Sequence, residues 1–155
     1  MIVAFGIPDE PEPGVLRIAE PAIIAVHLTL LNADGSGKAD VADDEPDKLV
    51  VASPCGRPLV LAPLNDALGL CITEGVEDAL SIYVETGLGA WAAGSSSFMT
   101  AVAECVPGYA DCITVIADDD EAGRRGAREL IRRLSDRGLH GELLEPPVNE
   151  ELRHD

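Results

Sequence analysis

The stretch Cys112-Ile113-Thr114-Val115-Ile116-Ala117-Asp118-Asp119-Asp120-Glu121-Ala122-Gly123 decides the fold. Its first six residues form an apolar, β-branched run, the composition of a buried strand. The acidic cluster that follows opens a segment in which Ala127, Leu130, Ile131 and Leu134 recur at helical spacing, with Gly138 placed to end it. The same grammar appears upstream. Leu70 to Thr73 is a short apolar run, followed by Val76, Ala79, Leu80, Tyr83 and Val84 at intervals of three and four until Gly87. Ala90 to Ala93 predicts a second strand. Ser95 or Ser96 can cap a helix carrying Phe98, Met99, Ala101 and Val102, which Pro107-Gly108 closes. Leu139 to Leu144 can return as a strand. Strands alternating with helices predict a parallel sheet covered on both faces, with the functional crevice at the carboxyl ends of the strands.

Before Pro63 the texture differs. Short β-like runs, Ile23 to Leu31, Lys48 to Ala52 and Leu59 to Ala62, are separated by Pro- and Asp-rich segments. Asn32-Ala33-Asp34-Gly35-Ser36-Gly37 carries turn chemistry, and the acidic stretch Asp40 to Asp47 reads as an exposed loop. The expected organisation is therefore a β-rich lead-in over residues 1–64 and an α/β domain over residues 65–155.

Composition sets limits on function. The chain has 155 residues, 46% of them hydrophobic and 25% charged, with a net charge of −17. It can bury a core, so it is not a disordered acidic tail. Its apolar runs are far shorter than the roughly 20 residues of a membrane span, and Met1 to Pro8 lacks the basic start of a secretory signal. The expectation is a cytoplasmic protein with no membrane partner. Strong acidity opposes autonomous DNA binding, because phosphate affinity is mainly Coulombic. A nucleic-acid role then needs local basic patches, metal ions or a partner. Cys55, Cys71, Cys105 and Cys112 form no CxxC pair and His27, His140 and His154 are dispersed, which argues against a zinc ribbon and for reduced, buried cysteines.

Two acidic motifs fall at predicted strand ends: Thr73-Glu74-Gly75 and Asp118-Asp119-Asp120. Alternate residues of an extended segment share a face, so Asp118 and Asp120 can point together with Glu74 meeting them across the sheet. Converging carboxylates repel unless a cation sits among them, and hard oxygen donors suit Mg²⁺ or Mn²⁺. Asp78, one helical turn beyond Glu74, is a further candidate ligand. Acidic residues at a helix start also stabilise the macrodipole, a purely structural alternative for Asp118 to Glu121.

The string Ile72-Thr73-Glu74-Gly75-Val76-Glu77-Asp78-Ala79-Leu80, followed by Trp91-Ala92-Ala93-Gly94 and Ile116-Ala117-Asp118-Asp119-Asp120-Glu121-Ala122-Gly123, resembles the Toprim domain. It looks most like the version in primase and primase-helicase proteins of phages, plasmids and other mobile elements. Val26-His27-Leu28-Thr29 and Asp34-Gly35-Ser36-Gly37-Lys38-Ala39 resemble the lead-in of those proteins, so the likeness runs from about Ala25. The resemblance implies an α/β fold with a four-stranded, mainly parallel sheet and Mg²⁺-dependent phosphodiester chemistry on DNA or RNA with nucleotides. It implies Glu74 as general acid or base and metal-site residue, Asp118 and Asp120 as the metal-binding pair, and Asp78 as an accessory acid. Replication proteins such as a helicase are the implied partners. The cysteine spacing provides no zinc module, and the absence of GxxxxGK[ST] leaves no P-loop helicase motif in this sequence. The acidic tail motif of the family has only a distant counterpart in Val148-Asn149-Glu150.

Arg124, Arg125, Arg128, Arg132, Arg133 and Arg137 hold six of the eleven basic residues and share one helix. They read either as a solvated face balanced by Glu129 and Asp136, or as a phosphate-contacting strip in which Arg124, Arg125 and Arg128 are the candidates. Tyr83 and Trp91 read as core, and His27 and His140 as structural histidines. Haloacid-type phosphatases and receiver domains also place aspartates at strand ends, but they use a lysine from a later strand. Lys38 and Lys48, the two lysines here, both precede the α/β strands. Ser95-Ser96-Ser97 lacks a nearby histidine base and reads as a helix cap. Three functions are consistent with this sequence: a primase-like nucleotidyltransferase, a related nuclease, and a non-catalytic module that docks onto a replication protein.

Overall fold

The structure, a computed structural model, describes residues 1–39 and 48–145. The predicted acidic loop Asp40 to Asp47 and the tail motif Val148-Asn149-Glu150 lie outside the described residues, as does His154. The strands are β1 (Ile2–Gly6), β2 (Asp9–Glu12), β3 (Val15–Arg17), β4 (Ile23–Thr29), β5 (Lys48–Val51), β6 (Leu59–Ala62), β7 (Gly69–Thr73), β8 (Gly89–Ala92), β9 (Cys112–Ile116) and β10 (Gly141–Leu144). The helices are α1 (Val76–Thr86), α2 (Ser96–Val102), extended by a 3-10 turn at Ala103–Cys105, and α3 (Glu121–Asp136).

Among the described residues the strands β10-β9-β7-β8-β6-β1-β4-β5 form one sheet of eight, and β2 and β3 form a separate hairpin. The four-stranded parallel sheet expected from the sequence is its α/β half. There β10, β9, β7 and β8 run parallel, while β6, β1, β4 and β5 continue the same sheet antiparallel. The sheet is larger than expected because β6 pairs with β8 through Leu59↔Ala92 and Val60↔Trp91, fusing the lead-in strands to the α/β strands. Strand β1 carries no turn signal or alternation strong enough to announce it.

Alternation along the strands builds two cores. Leu70, Ile72, Trp91, Ile113 and Val115 face α2 and α3, packing on Met99, Val102, Leu130 and Leu134. Ala90 and Ala92 face the other way, onto Val76 and Ala79 of α1 with Phe5 and Leu59 of the lead-in strands. Trp91 is fully buried, as its sequence position predicts. Tyr83 is not core. It is 46% exposed and Val84 is 77% exposed, because the face of α1 that meets the sheet is spent after Leu80. Burial of the cysteines is also only partly realised: Cys71 is buried, whereas Cys55 and Cys112 are exposed.

The helix ends follow local chemistry. Gly87 closes α1 in the left-handed conformation at φ 68°, its N–H donating to the Tyr83 carbonyl. Ser95 stands at the start of α2, but its hydroxyl is 2.9 Å from Ser97 Oγ and does not cap the helix. No described helix is long and apolar enough to cross a membrane.

Candidate functional site

β7 and β9 are adjacent parallel strands, paired through Ile72↔Val115, and the chain leaves them in opposite directions: through α1 to β8, and through α3 to β10. A crevice is therefore expected beyond their carboxyl ends. Glu74 directly follows β7 and Asp118 lies two residues beyond β9, so parallel pairing alone brings two carboxylates from distant parts of the chain to one rim. The turn after β7 is pinned by the Thr73 hydroxyl, which donates to the Gly75 carbonyl at 2.7 Å. The Gly94 N–H donates to the Glu74 carbonyl at 2.9 Å. Across the rim the first turn of α3 lies against Asp118. A Cβ on Gly123 would come within 2.9 Å of the Asp118 Cβ, so only glycine allows this approach.

Glu74, Asp78 and Asp118 line one cleft of about 270 Å³. Asp78 and Asp118 also line its neighbour, together with Asp119 and Asp120. The sequence-predicted acids thus share a continuous acidic rim. They are not gathered into a tight ligand set: among the described residues no three Asp, Glu, His or Cys side chains are grouped closely enough to hold a metal ion as they stand. Asp120 accepts a hydrogen bond from the Gly123 N–H at 2.7 Å and caps α3, and Asp119 pairs with Arg124. The structural role for the acidic triplet is therefore realised in two of its members, while Asp118 faces both clefts.

The electrostatics mark the same spot. Burial, then the charges of Asp118 and Asp120, push the Glu74 carboxyl above its ordinary range, against opposition from the Ser96 N–H and Lys48. Burial, then Asp78 and Asp120, push Asp118 up, with Lys48 opposing. Glu74 Oε2 is buried and has no hydrogen-bond partner among the described residues. An orphaned carboxylate oxygen beside a second carboxylate, in a rim of hard oxygen donors, fits a small divalent cation such as Mg²⁺ or Mn²⁺. Glu74, Asp118, Asp120 and Asp78 are the residues that could hold it.

Sequence reasoning missed another part of the cleft's wall. His27, Lys38, Lys48 and Glu77 line it too. Lys38 and Lys48 Nζ stand 3.3 and 3.2 Å from the two oxygens of Glu77. His27 is buried, its Nδ1 3.4 Å from Thr29 Oγ1. Burial, then Lys48, holds its imidazole below the ordinary range. The lead-in string around His27 and Lys38 is the only sequence signal for this wall.

The basic helix divides into two groups. Arg128 pairs with Glu145, Arg132 with Glu129 and Asp136, and Arg133 with Glu129 and Glu104. Arg137 donates to the carbonyls of Ala103 and Val106. Arg125 is exposed and makes no hydrogen bond or ion pair among the described residues. It borders two grooves, one shared with Ser96, Ser97 and Thr100, the other with Arg124 and Arg128.

A family model described as the Toprim domain matches residues 69–155. No curated protein matches the chain. Among solved structures, a DNA primase domain from Pseudomonas aeruginosa is similar at 19% identity with a TM-score of 0.46, over 94% of this chain and 50% of that one. The chain spans half the length of that structure.

Proposed function

Because this chain belongs to the Toprim domain family, we propose that it acts on nucleic acid through divalent-metal-dependent phosphodiester chemistry, as the catalytic part of a primase-like nucleotidyltransferase. In this reading residues 65–155 are the Toprim domain, and residues 1–64 are a lead-in that completes the cleft. One observation carries it: Glu74, with a buried and unpartnered Oε2, lines the same cleft as Asp118 at the ends of adjacent parallel strands.

Glu74, Asp118 and Asp120, assisted by Asp78, would hold Mg²⁺ or Mn²⁺, which when bound neutralises charge at phosphorus and activates an attacking oxygen. Glu74 is the candidate proton carrier. Burial and neighbouring carboxylates raise its proton affinity toward the working range of a general acid or base. Arg124, Arg125 and Arg128 lie along the first two turns of α3 beside this rim, and Arg125 is the member with no partner to release before meeting a phosphate oxygen. DNA or RNA, nucleotides and a replicative partner such as a helicase complete the proposal, in the cytoplasm of a cell carrying the mobile element.

A second reading, a non-catalytic Toprim module docking onto a replication protein, is favoured by the open arrangement of the carboxylates and the net charge of −17. Incubation of the protein with Mn²⁺, labelled single-stranded oligonucleotide and nucleoside triphosphates separates them. Extension products lost in Glu74→Gln and Asp118→Asn are the expected result, and shortened products lost in the same variants identify a nuclease. An unchanged oligonucleotide together with no new strand made from the nucleoside triphosphates by wild type overturns the catalytic reading.

A further inference from the structure

Strand pairing brings Glu74 and Asp118 to one rim but does not fix the distance between their carboxyls. Among the described residues the register of β7 and β9 ends at Ile72↔Val115, and both acids lie beyond it. Each must be held by something else. Helix α3 offers two buried glycines one turn apart, Gly123 and Gly126. The first lies against Asp118, and its N–H donates to Asp120 Oδ1 at 2.7 Å. The second lies against Ser96, the first residue of α2. A Cβ on Gly126 would stand 2.7 Å from the Ser96 carbonyl oxygen and 3.6 Å from the Met99 Cβ.

Ser96 leads back to Glu74. Its N–H, one of the donors that a helix start leaves without an intrahelical partner, is directed at the Glu74 carboxylate. Two residues earlier the Gly94 N–H donates to the Glu74 carbonyl at 2.9 Å. Gly94 takes φ 84°, and a Cβ there would lie 2.7 Å from the Phe5 ring. The turn Gly94-Ser95-Ser96 is thus wedged between Phe5 of β1 and Gly126 of α3, and it grips Glu74 by the backbone at one end and by the carboxylate at the other. Close packing of two helices would by itself call for a small residue at 126, as a matter of stability alone. The consequence for the rim is more specific. A metal site tolerates misplacement of about 0.5 Å, and a Cβ at 126 would have to push Ser96 by several tenths of an ångström. That displacement carries the N–H away from Glu74 while Asp118, seated on Gly123, stays with α3.

We propose that Gly126 is a positioning residue for Glu74, acting through the Ser96 backbone, so that one face of α3 sets the places of both acids that meet at the rim. The inference deepens the phosphodiester reading and rests on it for what the spacing serves.

Two measurements on the full chain test it. The first is a metal-free amide spectrum of protein labelled at serine nitrogen, at mildly alkaline pH. Glu74→Gln should shift the Ser96 amide proton, because its N–H loses a charged acceptor, and Gly126→Ala should shift the same signal in the same direction. Val102→Ala, which removes core packing at the last residue of α2, should leave it in place. The second is calorimetric titration with Mn²⁺. Gly126→Ala and Ser96→Pro should each weaken binding about tenfold or more, the scale on which groups that orient a metal ligand act, while Val102→Ala binds as wild type does. Ser96→Pro removes the donor and keeps the helix start, since proline is tolerated at the first helical position and the extended Ser95, at φ −169° and ψ 158°, suits the residue before it. It decides the outcome if Gly126→Ala does not fold. A Ser96 amide unmoved by Glu74→Gln, or wild-type Mn²⁺ binding by folded Gly126→Ala or Ser96→Pro, overturns the inference. No Mn²⁺ binding by wild type, with the Ser96 signal moving as expected, removes the metal-dependent reading and leaves the placement of Glu74 by Gly126 standing.

Discussion

The backbone N–H of Gly123 donates to Asp120 Oδ1 at 2.7 Å, so the second aspartate of the Asp118-x-Asp120 pair is built into the first turn of α3. Structural and ligating roles can therefore be separated by substitution. Asp120→Ala should lower stability by about 1 kcal/mol through loss of the cap. Asp120→Asn keeps an accepting oxygen and should unfold close to wild type in urea, while weakening any Mn²⁺ response. Equal destabilisation by both variants would assign the effect to charge at the helix start.

Glu74 and Asp118 have carboxyl groups pushed above their ordinary range, chiefly by burial and secondly by nearby carboxylates, Asp118 and Asp120 for Glu74 and Asp78 and Asp120 for Asp118. The folded state then binds protons more readily than the unfolded one. Their contribution to stability is most favourable below the ordinary carboxylate range of about 4 and declines as pH rises through the raised folded values. Glu74→Gln should consequently melt higher than wild type at neutral pH, and the gap should close as pH falls toward 4. A gap that widens on acidification would contradict the electrostatic account of the cleft.

The helices α2 and α3 meet at a glycine. A Cβ on Gly126 would lie 2.7 Å from the Ser96 carbonyl oxygen, a backbone atom that cannot turn aside. Gly126→Ala should cost about 1–3 kcal/mol. Gly108→Ala, where no atom of the described residues lies within 4 Å, serves as the control and should be neutral within about 0.5 kcal/mol. Chemical denaturation of the two variants measures the contrast.

Arg125 and Arg132 share a helix but differ in commitment, since Arg132 is held by Glu129 and Asp136. Arg125→Gln should weaken binding to a single-stranded oligonucleotide and reduce the magnitude of the logarithmic salt slope by about 0.7. Arg132→Gln should leave both unchanged. Equal effects of the two substitutions would show a diffuse helix field in place of a contact.

The α/β half was legible because its signals are local. β-branched runs, helical spacing and terminal glycines such as Gly87 stand in the sequence, and the parallel direction of the strands follows from crossover rules. The meeting of Glu74 and Asp118 at one rim was legible because both directly follow predicted strands. What escaped notice depends on long-range pairing. Strand β1, the fusion of β6 to β8 and the approach of Lys38 and Lys48 to Glu77 leave no periodic trace, since each is fixed by a partner far along the chain. The lysines precede the α/β strands in sequence, yet they reach the cleft because β4 and β5 extend the same sheet. Tyr83 was misplaced for a related reason: helical spacing identifies a face, but the extent of the neighbouring sheet decides how much of that face is covered.

In the proposed function, Glu74 and Asp118 jointly receive a divalent cation. Thermal unfolding with and without Mn²⁺ tests it directly, because a ligand that binds only the folded state raises its stability by about 2.7 kcal/mol at one hundred times its dissociation constant. The account predicts a saturable rise in melting temperature for wild type that is absent in Glu74→Gln and Asp118→Asn. Equal rises in all three proteins, or none in wild type, would contradict it.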